Sequence, residues 1–137
     1  MRLNHVSPAT IRFWALLDTS VIALALPVTA KLFLGVIYWL NGLMGFDHVM
    51  PAFAPIHMFF VNLSGILVAV WAFARLLNPT GLLGLIDAIG RSAVAMLIVW
   101  FIIIEDAPPA LWLFVATEGL GAIAHFRACL KTPAASD

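Results

Sequence analysis

Four long apolar stretches, each ended by a short polar segment, organise this chain. Residues 13–40, 55–77, 82–104 and 109–130 are dominated by Leu, Ile, Val, Phe and Ala. Each meets the roughly 20 residues that an α-helix needs to cross a bilayer. The breaks are Asn41-Gly42 through Pro55, then Asn78-Pro79-Thr80-Gly81, then Glu105-Asp106-Ala107-Pro108-Pro109, all rich in helix-stop and turn residues. Pro55 and Pro109 suit a first helical turn, where the N–H that proline lacks would have no intrahelical partner. Strands fit worse, because the runs are too long, lack a period of two, and would expose an open sheet edge to lipid. The pattern predicts an all-α protein: an integral-membrane, antiparallel bundle of four transmembrane helices forming a single domain over residues 1–137.

The first stretch is longer than one span requires and contains Pro27. A kink or tilt there, or an interfacial first turn, would absorb the excess. Arg2 and Arg12 resemble the basic start of a secretory leader, but Asp18 interrupts the apolar run and no small-residue cleavage site precedes the next span. The stretch therefore reads as a retained helix. The tail 132–137 is small and polar and should fray.

Composition strengthens the membrane reading. The 137 residues are 64% hydrophobic and 10% charged, with a mean hydropathy of +1.06, whereas soluble domains carry about 25% charged residues. A soluble body of this size would have a largely apolar surface. Net charge is zero, which leaves no basic surface for nucleic acid. The lone Cys129 excludes an internal disulfide or a CxxC metal motif, and it reads as a small apolar filler near a helix end.

Basic residues give a direction. Arg2, Arg12, Arg75, Arg127 and Lys131 all fall on one side of a four-span protein, while the opposite loops carry Asp47, His48, Glu105 and Asp106. Both termini are then expected to be cytoplasmic, in a bacterial inner membrane. Trp39, Trp100 and Trp112 sit near the outer helix ends and Trp14 near an inner one, as interfacial belts require.

Against this background the polar residues inside the spans stand out. Arg91 and Glu118 each lie about halfway along a span, where a charge costs about 2.5–3.5 kcal/mol on the lenient insertion scales. Asp87 and Arg91, spaced i,i+4, share a face with Gly84, Ala88 and Ala95. Glu118 and His125, spaced i,i+7, share one with Gly121 and Ala122. Small residues beside polar ones mark the faces where membrane helices approach closely. Arg91 lies roughly 14 Å from the inner start of its helix and Glu118 roughly 14 Å from the outer start of its own. Antiparallel neighbours would bring them level, with Asp87 and His125 as a second layer nearer the cytoplasm. Reversing the charges of Arg91 and Glu118 together should, on that reading, restore what either single reversal loses.

Asp18 either joins the Asp87–His125 layer or reaches water at the interface. Lys31 projects about 220° away from it on the same helix and is expected to snorkel outward. Asn62, aligned with Gly65 and Ala69, needs an interhelical hydrogen-bond partner. His57 reads as an interfacial histidine.

No HExxH, phosphate loop, GxSxG or kinase pattern occurs, so neither catalytic nor metal-ligating residues are assigned. A b-type haem needs two histidines at one depth, and His57 and His125 are roughly 20 Å apart along the membrane normal. No cofactor is expected, although a bound lipid or quinone stays open. Internal repeats are not evident, which argues against an inverted-repeat transporter.

The segment His57-Met-Phe-Phe-Val-Asn62-Leu-Ser-Gly65 with Trp71 and Arg75, and Asp87-Ala-Ile-Gly-Arg91 with Thr117-Glu118 downstream, resemble small bacterial inner-membrane proteins. In size and four-helix layout these look like the DoxX-like group. The resemblance covers about the last two-thirds of the chain and implies the same architecture. Some members of that group are linked to quinone-dependent oxidation, which no residue pattern here carries over.

Two functional classes follow. The favoured expectation is a non-enzymatic accessory or scaffold subunit, packed against other membrane proteins or its own copies, with Arg91, Glu118, Asp87, His125, Asp18 and Asn62 as its intramembrane polar site. The alternative is a small oligomeric proton-linked transporter, or a lipid- or quinone-binding protein, centred on Glu118.

Overall fold

A computed structural model describes residues 6–130; Arg2, Lys131 and the tail 132–137 lie outside the described residues. All its elements are helical. They are α1 (Pro8–Asp18), a 3₁₀ segment (Thr19–Ala25), α2 (Pro27–Leu43), α3 (Pro55–Leu77), α4 (Gly81–Ile104), a 3₁₀ turn (Pro109–Leu111) and α5 (Trp112–Leu130). Four helical stretches are long and apolar enough to cross a membrane: Pro8–Ala25, Pro55–Leu77, Gly81–Ile104 and Pro109–Leu130. Residues 6 and 130 and the turn at 78–80 share one end of the bundle, here the terminal end; the loops at 44–54 and 105–108 mark the loop end.

The last three spans coincide with the apolar stretches of the sequence, but the first does not stay continuous. α1 passes into the 3₁₀ segment, the chain is extended at Leu26 (φ −114°, ψ 139°), and α2 restarts with Pro27 in its first turn. Proline causes this twice over. It disfavours the α conformation at the residue before it, and it lacks the N–H that would continue the ladder. A kink at Pro27 is thus corrected to a full break. Thr29 lies just beyond it, and its hydroxyl donates to Ala23 O at 2.5 Å and to Leu26 O at 3.2 Å. From the far side, the Asn62 amide donates to Leu24 O at 2.7 Å. Carbonyls released by the break are therefore met by side chains, as a lipid surround demands.

The same place is a site of close backbone approach. A Cβ on Gly65 would overlap the backbone of Leu24 and Ala25, so the absence of a side chain on α3 lets the 3₁₀ segment lie directly against it. α3 also packs along α1, while α4 runs against α5. By contrast α3 and α4, consecutive in the chain, hardly approach one another. The molecule is thus a tight α4–α5 pair beside a tight α1–3₁₀–α3 group. α1 touches both at the terminal end, and α2 packs against the first 3₁₀ segment, α3 and the 3₁₀ turn that precedes α5.

Burial is inverted relative to a soluble protein. Leu32, Phe59, Val70, Met96 and Ile103 are among the many large apolar side chains more than half exposed, whereas Arg75, His125, Asn41, Asp87 and Arg91 are buried. A small apolar cluster of Val6, Ile11 and Cys129 closes the terminal end. At the loop end, buried Asn41 donates to Phe46 O at 3.2 Å, faces His48 Nδ1 at 3.3 Å, and accepts from Ala110 N at 3.2 Å. Asn41 reads in the sequence as a span boundary; in the fold it ties α2 to the 3₁₀ turn that precedes α5.

Candidate functional site

Arg91 is the centre of a charged node between the two halves of the bundle. Its Nε donates to Asp87 Oδ2 at 2.8 Å one turn earlier on α4, and its Nη1 to Glu118 Oε2 of α5 at 3.0 Å. Nη2 donates to Asp18 Oδ2 of α1 at 2.5 Å and to Trp14 O at 3.4 Å. The guanidinium also lies over the Trp14 ring, 5.3 Å from its centroid. Gly121 makes room for this arginine, since a Cβ there would come within 2.8 Å of Arg91 Cδ.

A second arginine completes the node. Arg75 of α3, fully buried, donates from Nη2 to Asp18 Oδ2 at 2.5 Å and from Nε to Trp71 O at 3.4 Å. Its Nη1 stands 2.8 Å from Asp87 Oδ1, close enough for an ion pair but without hydrogen-bond alignment. Trp71 donates its indole N–H to the same Asp87 oxygen at 2.8 Å. Asp18 thus bridges Arg75 and Arg91, and Asp87 is surrounded by Trp71, Arg75, Arg91 and His125. The His125 Nδ1 is 3.2 Å from Asp87 Oδ2, again without alignment, and neither ring nitrogen makes a hydrogen bond among the described residues.

The structure accordingly brings Arg91, Glu118, Asp87, His125 and Asp18 together and leaves Asn62 out, at the helix break. Two stacked pairs become one network reaching four helices. Asp18 belongs to it and does not simply reach water. Arg75, read in the sequence as a charge flanking its span, is instead a core member of the node. Proximity to the helix end hid it; the signal that would have found it is its alignment with Gly65 and Ala72, all three buried on one face of α3. Trp14 likewise stacks on Arg91 instead of serving only an interfacial belt. Trp39, Trp100 and Trp112 are well exposed. Arg12 and Arg127 are the exposed basic residues left at the terminal end among the described residues.

Above the node the loose α3–α4 contact leaves space. A cavity of about 490 Å³ lies between α3 and α4, backed by α2, the 3₁₀ segment and α5. Its walls include Leu24, Phe33, Ile37, Val68, Val94, Ile98 and Phe114, and its floor is Asp18, Trp71, Asp87, Arg91 and Glu118. Ile86 and Val94 line it and are also 45% and 44% exposed, which places its mouth on the lipid-facing side of α4. Gly90 lines it too, and a Cβ there would meet nothing within 4 Å. A second cavity, of about 300 Å³, reaches Asp18, Arg91 and Glu118 from the side of Trp14, Leu40 and Thr117. Compared with known proteins, the chain matches no family model, no curated protein and no solved structure.

Proposed function

We propose that this protein is a membrane-embedded binding protein for a small amphipathic molecule, in a bacterial inner membrane with both termini cytoplasmic. The observation that carries this reading is an apolar cavity of ligand size that opens toward lipid and ends on buried carboxylates. Ligand pockets typically occupy about 300–1,000 Å³ and combine apolar walls with a few convergent polar groups. Exposed Arg12 and Arg127 at the terminal end support the orientation. The accessory-subunit expectation rests on the lack of a catalytic motif in the sequence and gives the polar site a role in assembly. Here each buried charge has an oppositely charged neighbour within the chain, so their burial does not by itself call for a partner subunit.

Gentle detergent extraction followed by mass analysis of what stays bound tests this directly. The protein should retain an amphipathic small molecule in stoichiometric amount. Gly90→Leu should fold, because the site has room and leucine favours the helix, yet retain none, because the side chain fills the cavity. Recovery of a stoichiometric protein partner with no small molecule, alike in both proteins, would overturn the binding reading in favour of a subunit role.

A further inference from the structure

The chemistry of the cavity floor restricts what head group it can take. Arg91, the cation nearest the cavity, has Nε, Nη1 and Nη2 all donating to groups within the chain, and its side chain is only 4% exposed. Arg75 is fully buried and does not line the cavity. The carboxylates are more open: the Glu118 side chain is 20% exposed and that of Asp18 16%. Glu118 uses Oε2 for Arg91, and Arg91 is its partner among the described residues. A ligand entering from lipid therefore meets acceptors, not donors.

Net charge points the same way. By formal charge, the three carboxylates of Asp18, Asp87 and Glu118 outnumber the guanidinium groups of Arg75 and Arg91 by one. Phe33 and Phe114 both line the cavity, their rings tilted by 55° with centroids 6.2 Å apart, and Phe114 lies one turn before Glu118. Aromatic faces beside a carboxylate favour a cation and repel an anion.

The geometry points to a lipophilic organic cation as the occupant, with an ammonium-type head at Glu118 and an apolar body lying between α3 and α4. This rests on the cavity being a ligand site. From Asp87 to Ile98 the floor-to-top distance along α4 is about 16 Å, a length suited to a medium alkyl chain. An anionic phospholipid or fatty acid would bring a second negative group against Glu118.

Three radiolabelled probes sharing a dodecyl chain separate the cases: dodecyltrimethylammonium, dodecanol and dodecyl sulfate. Each is titrated at submicellar concentration against the full chain in nanodiscs of neutral lipid, with empty nanodiscs subtracted. The ammonium probe should bind saturably, one per chain, at least tenfold tighter than the other two. Glu118→Gln should weaken it by tenfold or more while leaving dodecanol unchanged, and Gly90→Leu should abolish saturable binding. Head-group selectivity is read on the unaltered protein, so it stands whether or not Glu118→Gln folds. Equal binding of dodecanol, or preference for the sulfate, overturns the cationic assignment but keeps the cavity as a ligand site. Saturable binding of none of the three overturns the ligand site itself.

Discussion

Replacing Arg91 by methionine tests whether the node is a network or a pair. The substitution keeps an unbranched side chain beside Gly121 but removes the donors to Asp87, Glu118 and Asp18 at once. Asp18 and Asp87 retain Arg75 nearby, whereas Glu118 retains nothing among the described residues. Leaving a buried charge without its counter-ion typically costs about 3–5 kcal/mol, and the excess negative charge of the node rises from one to two. Arg91→Met should therefore lose about 3–5 kcal/mol of stability. Glu118→Gln alone should change stability by about 1 kcal/mol or less, since an amide oxygen still accepts from Arg91.

The double variant Arg91→Met/Glu118→Gln should recover at least about 1 kcal/mol of the loss, the coupling expected of residues in one network. Exchanging the two charges is a sharper test. The isolated-pair reading of the sequence expects Arg91→Glu/Glu118→Arg to restore folding. The structure says the reverse, because a glutamate at 91 would face Asp18 and Asp87 directly. Reversible unfolding in mixed micelles with increasing SDS, followed by tryptophan fluorescence, reads all of these, and Trp14 and Trp71 report from the node itself. Recovery in the exchanged protein, or a loss below about 1 kcal/mol for Arg91→Met, would show that the contacts to Asp18 and Asp87 carry no energy.

Three further outcomes follow from the same packing. Asn62→Leu removes the cap on Leu24 O and should destabilise by about 0.6–1.7 kcal/mol, the range of interhelical hydrogen bonds in membranes, with faster amide exchange around residues 24–27 by mass spectrometry. Gly65→Ala should lose about 1–3 kcal/mol through overpacking against the 3₁₀ segment, while Gly42→Ala, with open space, should not destabilise; SDS midpoints compare them. Asn41→Leu strips the acceptor from Ala110 N and should cost about 1–3 kcal/mol, loosening the loop end enough to raise proteolysis between 44 and 54.

What the sequence reveals about this fold depends on distance along the chain. Apolar length set the spans at 55–77, 82–104 and 109–130 because lipid imposes a fixed crossing length on any helix. Depth brought Arg91 level with Glu118 and Asp87 level with His125, and small-residue faces turned both pairs inward, since these arguments need only helix geometry and an antiparallel neighbour. The missing pieces came from non-local packing. Arg75 sits two residues from the end of α3, where a charge normally reaches the headgroups. It is drawn inward because α1 ends beside it and supplies Asp18. α1 can end there because Pro27 breaks the first span early enough for the 3₁₀ segment to fold onto Gly65. The break, the glycine and the buried arginine are thus one arrangement: Asn62 caps the break, Gly65 admits it, and Asp18 arrives at the height where two arginines wait. The diverted first span also lines the space between α3 and α4: Val21 and Leu24 of the 3₁₀ segment and Phe33 and Ile37 of α2 wall the cavity. The break at Pro27, where the sequence led to a kink or tilt within one long span, thus lies beside the cavity as well as beside the node.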